Sequence, residues 1–214
     1  MDFIETETFN FRNLWFLDKF LYGHKGYVAG GCFKNIFNNE KIKDVDIFFE
    51  KDEEFLEAKK YFEDKVKEKP NEWKFSYENK NCWSILSIKD NIRLELIKNY
   101  YGNPKGTIQT FDFTLTKFAY YKTTQKIDGE DKIVTKVVYH KDFFEHLHLK
   151  RLVVDNRLTL PANSFNRMIR YIGYGYLPCK ETKAKIIFEI SKLDINNKDD
   201  VMELLGKSLY EGLD

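Results

Sequence analysis

The sequence is short of the residues whose chemistry is easiest to recognise. Its 214 residues include 3 cysteines, 4 histidines and 4 prolines. Cys32, Cys82 and Cys179 are widely spaced, with no Cys-x-x-Cys pair and no matching histidine cluster. That speaks against a zinc site or a disulfide framework and fits a reduced, cytoplasmic protein. Charge of one sign is also missing: 35 basic and 34 acidic residues leave a formal net charge of +1. A broadly basic, non-specific nucleic-acid binder would carry an excess of Lys and Arg. Room remains for a local basic surface around Lys141, Lys150, Arg151, Arg157, Arg167 and Arg170. No apolar run approaches bilayer length, and acidic Asp2, Glu5 and Glu7 stand where a secretory leader would be basic, so neither membrane nor export is expected. Low-complexity tracts and repeats of solenoid period are absent too.

What is present begins with core material, 43 % apolar residues and 16 % aromatic, ample for a globular fold. The most informative feature is Gly30-Gly31 followed, after a short helix-like stretch, by Asp44-Val45-Asp46-Ile47. Tyr27-Val28-Ala29 reads as a buried strand, and the two glycines let the backbone turn tightly into a helix. Backbone N–H groups at such a turn suit anionic phosphate oxygens. In Asp44-Val45-Asp46-Ile47-Phe48-Phe49, a strand puts Asp44 and Asp46 at i and i+2 on one face. Two like charges held that close call for a cation, and Mg²⁺, with its preference for hard oxygen ligands shared with substrate phosphates, is the natural one. A two-metal site wants a further carboxylate on an adjacent strand. Residues 83–98 read as a hairpin turning at Asp90-Asn91, and Glu95 in its second arm is the candidate third ligand. The alternation of Ile92, Leu94 and Leu96 leaves open a plain surface-facing strand position for Glu95.

The run Gly30-Gly31-Cys32-Phe33-Lys34-Asn35, ending in Asp44-Val45-Asp46-Ile47, resembles the first motif of the polymerase-beta-type nucleotidyltransferase superfamily. The resemblance is to its branch of class II CCA-adding tRNA nucleotidyltransferases and bacterial poly(A) polymerases. Phe111-Asp112-Phe113-Thr114-Leu115-Thr116 is similar to that family's Arg-Arg-Asp-Phe-Thr-Ile-Asn motif. The segment 164–176, containing Arg167 and Arg170, is similar to its Leu-Arg-x-x-Arg-Phe neck segment, so the likeness spans roughly residues 24–178. It implies an α+β nucleotidyltransferase fold, a small mixed β-sheet flanked by helices with a C-terminal helical neck. It further implies Asp44 and Asp46 as metal ligands, the glycine turn with Cys32 and Lys34 at the triphosphate, and Asp112, Arg167 and Arg170 at the nucleotide. Departures are visible as well. Lys34-Asn35 replaces the usual Arg-Asp, Thr110-Phe111 replaces the paired arginines, and no Glu-Asp-x-x-Arg helix for reading base edges is present.

Alternatives stand beside several of these assignments. Asp112 is placed either to cap a helix starting near Thr114 or to serve the nucleotide site, and either it or Glu95 is the third carboxylate. His140, His146 and His148 cluster beside Phe143, Phe144 and Leu147, as residues at the edge of a packed helix would.

The expected organisation is a catalytic head over residues 1–140 and a helical neck with the C-terminal region over 141–214. A lead-in to about Phe9 precedes a helix over residues 10–21; a solvated helix follows over 51–69. A second hairpin around Asp128-Gly129 reads as an edge insertion, helices beyond Lys141 break at Pro161 and Pro178, and a terminal helix covers 204–213. The expected function is metal-dependent transfer of NMP from an NTP to an acceptor hydroxyl, first of all an RNA or tRNA-like 3′ end. Nucleotidylation of a protein or small molecule, and a retired nucleotide- or RNA-binding module, are the other readings.

Overall fold

The computed structural model describes residues 2–155, 158–194, 196–198 and 200. The chain divides into two compact units, Met1–Gln109 with Lys117–Lys141, and Thr110–Thr116 with Asp142–Asp214.

The described residues of the first unit form eight strands. They are β1 (Phe3–Glu7), β2 (Tyr27–Ala29), β3 (Asp44–Phe49), β4 (Trp73–Glu78), β5 (Cys82–Ser87), β6 (Ile92–Tyr101), β7 (Phe118–Ile127) and β8 (Glu130–His140). These make one mixed sheet in the order β1-β8-β7-β2-β3-β6-β5-β4. Neighbours run antiparallel except β3 and β6, which are parallel. The hairpin expected at the Asp90-Asn91 turn is β5–β6, with its strands in register from Cys82↔Ile97 to Ser87↔Ile92.

The sheet is larger than the small one expected, for two local reasons. β1, expected only as a short lead-in, pairs with β8 from Phe3↔His140 to Glu7↔Lys136. Being an edge strand with mostly exposed side chains, it shows no buried alternation. β4 was not anticipated and pairs with β5 across a bulge between Phe75 and Tyr77. The β7–β8 hairpin does form, with Asp128 at φ 55° and Gly129 at φ 82° giving the left-handed turn that fits twisted strands. Because β1 lies outside it, the hairpin is interior to the sheet rather than an edge insertion.

One face of the central strands is apolar: Val45, Ile47, Phe49, Leu94, Leu96 and Ile85 are buried. Helix α2 (Asp52–Glu68), amphipathic with Phe55, Ala58 and Phe62 inward, follows α1 (Cys32–Phe37) in the chain and covers that face. Phe55 meets Phe49 at 5.8 Å between ring centres, and Phe62 meets Trp73 at 5.6 Å. The helix expected over residues 10–21 is instead two 3₁₀ segments, Thr8–Asn10 and Arg12–Lys19. Leu14, Leu17 and Phe20 are all fully buried, and their three-residue spacing matches the three-residue turn of a 3₁₀ helix, whereas Trp15 is largely outside. Helix α3 (Pro104–Gln109) ends the first stretch of this unit.

In the second unit, α4 (Phe143–His148), β9 (Arg151–Leu152), α5 (Pro161–Gly173), β10 (Leu177–Pro178) and α6 (Lys180–Ile190) follow one another. Pro161 opens α5 at its first turn, where a missing N–H costs nothing, and Pro178 ends β10 just before α6. Phe113, Tyr171 and Tyr176 form the aromatic core of this unit, with Tyr171 5.8 Å from Phe113 and 6.0 Å from Tyr176. The expected helix over 204–213 and the expected basic residue Arg157 lie outside the described residues.

Candidate functional site

The carboxylates come together through the parallel β3–β6 pairing. Asp44 lies opposite Arg93 and Asp46 opposite Glu95, so all four side chains belong to the sheet face away from α2. The Glu95 row continues across the hairpin: Glu95 is in register with Ser84 on β5, and Ser84 with Tyr77 on β4. The bulge after Phe75 makes this possible. Without it Trp73, Phe75 and Tyr77 would share the apolar face; with it Tyr77 turns to the carboxylate side.

Two side chains that sequence reasoning assigned no role hold this cluster. The Tyr77 hydroxyl donates to Glu95 Oε1 at 2.5 Å, and Glu95 is only 1 % exposed rather than facing solvent. Burial and the neighbouring Glu95 both push the Tyr77 hydroxyl far above its ordinary range, so it remains a proton donor. The Arg93 guanidinium lies 3.1 Å from Asp44 Oδ1 and 3.9 Å from Glu95 Oε1, over the Tyr77 ring at 5.6 Å. Burial nevertheless raises the Asp44 carboxyl above its usual value, with Arg93 and Lys43 pulling the other way. Two thiols border the same carboxylates. Burial, then Glu95, raise Cys82 to about 11, and burial, then Asp46, raise Cys32 well above its ordinary value, so both stay protonated. Ser84 Oγ and Arg93 Nε are buried without a hydrogen-bond partner.

The glycine turn has the conformation its sequence asks for. Gly30 sits at φ 104°, where a side chain would be strained, and its N–H donates to the Phe118 carbonyl at 3.1 Å. Gly31 then caps α1 with helical angles. Cys32 and Phe33 point into the core. Lys34 is 7 % exposed and its ammonium donates to Glu40 Oε2 at 2.8 Å, so its charge is engaged within the chain.

Asp112, Arg167 and Arg170 belong to the second unit. Asp112 is not the residue before the Thr114–Thr116 turn; its carboxylate accepts from the Phe113 N–H at 2.9 Å, from Ser164 Oγ at 3.0 Å and from Arg167 Nη1 at 3.3 Å. It thereby ties the Asp-Phe-Thr segment to α5. Arg170 lies one turn beyond Arg167 on α5. His146 is buried, and its Nδ1 shares a 2.7 Å hydrogen bond with Thr114 Oγ1.

Among the described residues, no three His, Cys, Asp or Glu side chains gather as a metal-ligating group. The donor chemistry at the sheet face still suits a hard divalent ion, since Asp44, Asp46 and Glu95 offer oxygen only. The guanidinium of Arg93 lies against the carboxylates of Asp44 and Glu95.

A family model described as Gabija anti-defense 2 family protein matches residues 7–150. The chain belongs to that family. A curated relative, Gabija anti-defense 2 of Bacillus phage SPbetaL7, is 25 % identical over 184 residues, covering 86 % of this chain and 42 % of the relative. Among solved structures, a CCA-adding enzyme in complex with ATP matches with TM-score 0.61 at 16 % identity, over 95 % of this chain and 50 % of that one. The same kind of enzyme with CTP gives 0.59 at 17 %, over 95 % and 49 %. The Thermotoga maritima CCA-adding enzyme complexed with tRNA gives 0.58 at 17 %, over 97 % and 50 %. The chain therefore has the α+β, nucleotidyltransferase-type fold and spans about half the length of these proteins. Among the described residues no helix is long and apolar enough to cross a membrane.

Proposed function

We propose that this protein is a metal-dependent nucleotidyltransferase that moves NMP from an NTP to an acceptor hydroxyl and by doing so counters the defence its family is named for. The supporting observation is the register of Asp46 against Glu95, with Asp44 two residues away on the same face. In this reading Asp44, Asp46 and Glu95 hold Mg²⁺, which offsets charge on the triphosphate and lowers the proton affinity of the attacking hydroxyl. The chain's own residues supply position. The Gly30-Gly31 turn, with Cys32 and Lys34 behind it, lies along the triphosphate, and Tyr77 fixes the carboxylate of Glu95. Asp112, Arg167 and Arg170 serve the nucleotide, with residues 1–140 as catalytic head and 141–214 as neck.

The acceptor is proposed to be an RNA 3′ end, tRNA-like in form, in a cytoplasmic setting. The fold neighbours are CCA-adding enzymes, one of them complexed with tRNA, which favours that choice over a protein or small-molecule hydroxyl. A second reading, a nucleotide- or RNA-binding module without turnover, draws support from two ion pairs: Arg93 on Asp44 and Lys34 on Glu40.

The test incubates the protein with Mg²⁺, total RNA and each α-labelled NTP in turn, beside the double variant Asp44→Ala/Asp46→Ala. Label entering RNA with the parent alone supports the proposal, and label entering protein or a small molecule moves the acceptor. No transfer with any NTP, combined with measurable nucleotide binding, would favour the second reading.

A further inference from the structure

The carboxylate site already contains a cation of its own. Arg93 comes from the position opposite Asp44, in the strand that carries Glu95, so the parallel register alone delivers its guanidinium to the carboxylate face. Nη1 is 3.1 Å from Asp44 and 3.9 Å from Glu95. The same guanidinium lies over Tyr77, the residue that donates to Glu95. Its hold is incomplete, because Nε is buried with no hydrogen-bond partner and the side chain is 40 % exposed. A buried donor left unsatisfied weakens the state that buries it, and an exposed outer end leaves a route into solvent. A guanidinium seated on Asp44 Oδ1 competes with a divalent ion for the same negative charge.

We propose that Arg93 is a resident counter-ion that a divalent metal must expel, so that it sets a threshold for metal occupancy. This rests on the metal site proposed above. While Arg93 is seated, its single charge partly offsets those of Asp44 and Glu95 without metal. When metal arrives, the guanidinium gives up Asp44 and swings toward solvent, where it can meet an anion. Arg93 is thus a positioning residue, acting through Asp44 and Glu95.

The test is direct binding of Mn²⁺, without nucleotide, to the full chain and to Arg93→Gln, Arg93→Lys and Asp44→Ala/Asp46→Ala. Removing a cation at this range strengthens a divalent ion's hold by about tenfold or more. Arg93→Gln is therefore expected to bind Mn²⁺ more tightly by that factor and Arg93→Lys to stay near the parent, while the double alanine variant loses the signal. A parent that binds Mn²⁺ at this site, with Arg93→Gln no tighter, overturns the inference and leaves the metal site standing. No binding to parent or Arg93→Gln overturns the metal site itself and the inference with it. A second measurement avoids substitution: in the unmodified protein the Arg93 Nε–H resonance should shift and exchange faster with water as Mg²⁺ is added. A resonance untouched by saturating Mg²⁺ overturns the expulsion.

Discussion

Asp46 and Glu95 stand opposite each other in the parallel pairing of β3 with β6, two carboxylates brought side by side from positions far apart in the chain. Backbone register holds them there, so their spacing does not depend on a loop, and side-chain changes at the site should leave the fold in place. Like charges so arranged raise the energy of the folded state unless a cation sits between them.

Asp44→Asn should accordingly lose nucleotidyl transfer and gain stability at neutral pH. Burial raises the Asp44 carboxyl pKa in the folded state despite Arg93 and Lys43. The sign follows from linkage: the folded state binds the proton more readily, so stability is fully present below the unfolded pKa and is lost as pH rises through the folded one. An amide has no such loss. Thermal unfolding of parent and variant should show a higher midpoint for Asn at pH 7 and a gap that closes in acid. A variant that is less stable at pH 7 would mean that Arg93 outweighs burial.

Tyr77→Phe removes the donor to Glu95 Oε1 while keeping the ring beneath Arg93. A hydrogen bond to a charged acceptor contributes roughly 1.5–3 kcal/mol, and less where a rearranged neighbour can replace it. The expected result is a stability loss of about 1–2 kcal/mol in urea denaturation and transfer reduced by about tenfold, since a swivelling Glu95 spoils the geometry. Transfer at the parent rate would separate Glu95 from the chemistry.

Much of this was legible in the sequence, and the gaps have physical causes. Period-two alternation located β3 and the β5–β6 hairpin, and so put Asp44, Asp46 and Glu95 on strands of the same sheet. The parallel register of β3 against β6 was not legible, because α2 and two strands intervene and no local pattern encodes so distant a pairing. Tyr77 was invisible for another reason. Trp73, Phe75 and Tyr77 alternate as one face of a strand, and the bulge that turns Tyr77 to the other face leaves no mark that residue spacing can show. Glu95 was weighed as a surface residue because neighbours on its own strand say nothing of the tyrosine two strands away that covers it. The helix at Arg12–Lys19 falls within the expected span but has a different pitch: Phe11, Leu14, Trp15, Leu17 and Leu21 read as one α-helical stripe, whereas the fully buried Leu14, Leu17 and Phe20 recur at intervals of three.

In the second unit, Arg167→Ala separates a structural role from a nucleotide-binding one. Asp112 is 9 % exposed and depends on Arg167, Ser164 and the Phe113 N–H to satisfy its charge. Losing the guanidinium leaves a largely buried carboxylate with fewer donors, at a cost of about 1–3 kcal/mol. Chemical denaturation should register that loss, and Arg167→Lys should recover only part of it, because one ammonium cannot reproduce the planar fork. If the alanine variant is as stable as the parent and only nucleotide affinity falls, Arg167 serves the ligand and not Asp112.

Acid sensitivity should be traceable to His24. Its ring is held neutral: Nε2 donates to the Phe20 carbonyl at 2.9 Å, and Nδ1 accepts from the Gly26 N–H at 3.0 Å. Burial lowers its pKa to about 4, against an ordinary value of 6.5. Protonating Nδ1 would cost the Gly26 hydrogen bond at a point where no chain movement is easy, because a Cβ on Gly26 would already lie 2.6 Å from Ile47 and 2.7 Å from Phe49. Since the folded pKa is depressed, the unfolded chain binds the proton first. The contribution is whole above pH 6.5 and falls away as pH drops toward 4. A shift of this size corresponds to stability of roughly 3 kcal/mol. Urea denaturation at closely spaced pH values should show the parent weakening across that window. His24→Gln keeps one donor and one acceptor and cannot ionise there, so its stability curve should be flatter over the same range. Parallel curves for the two proteins would place the acid-sensitive group elsewhere in the fold.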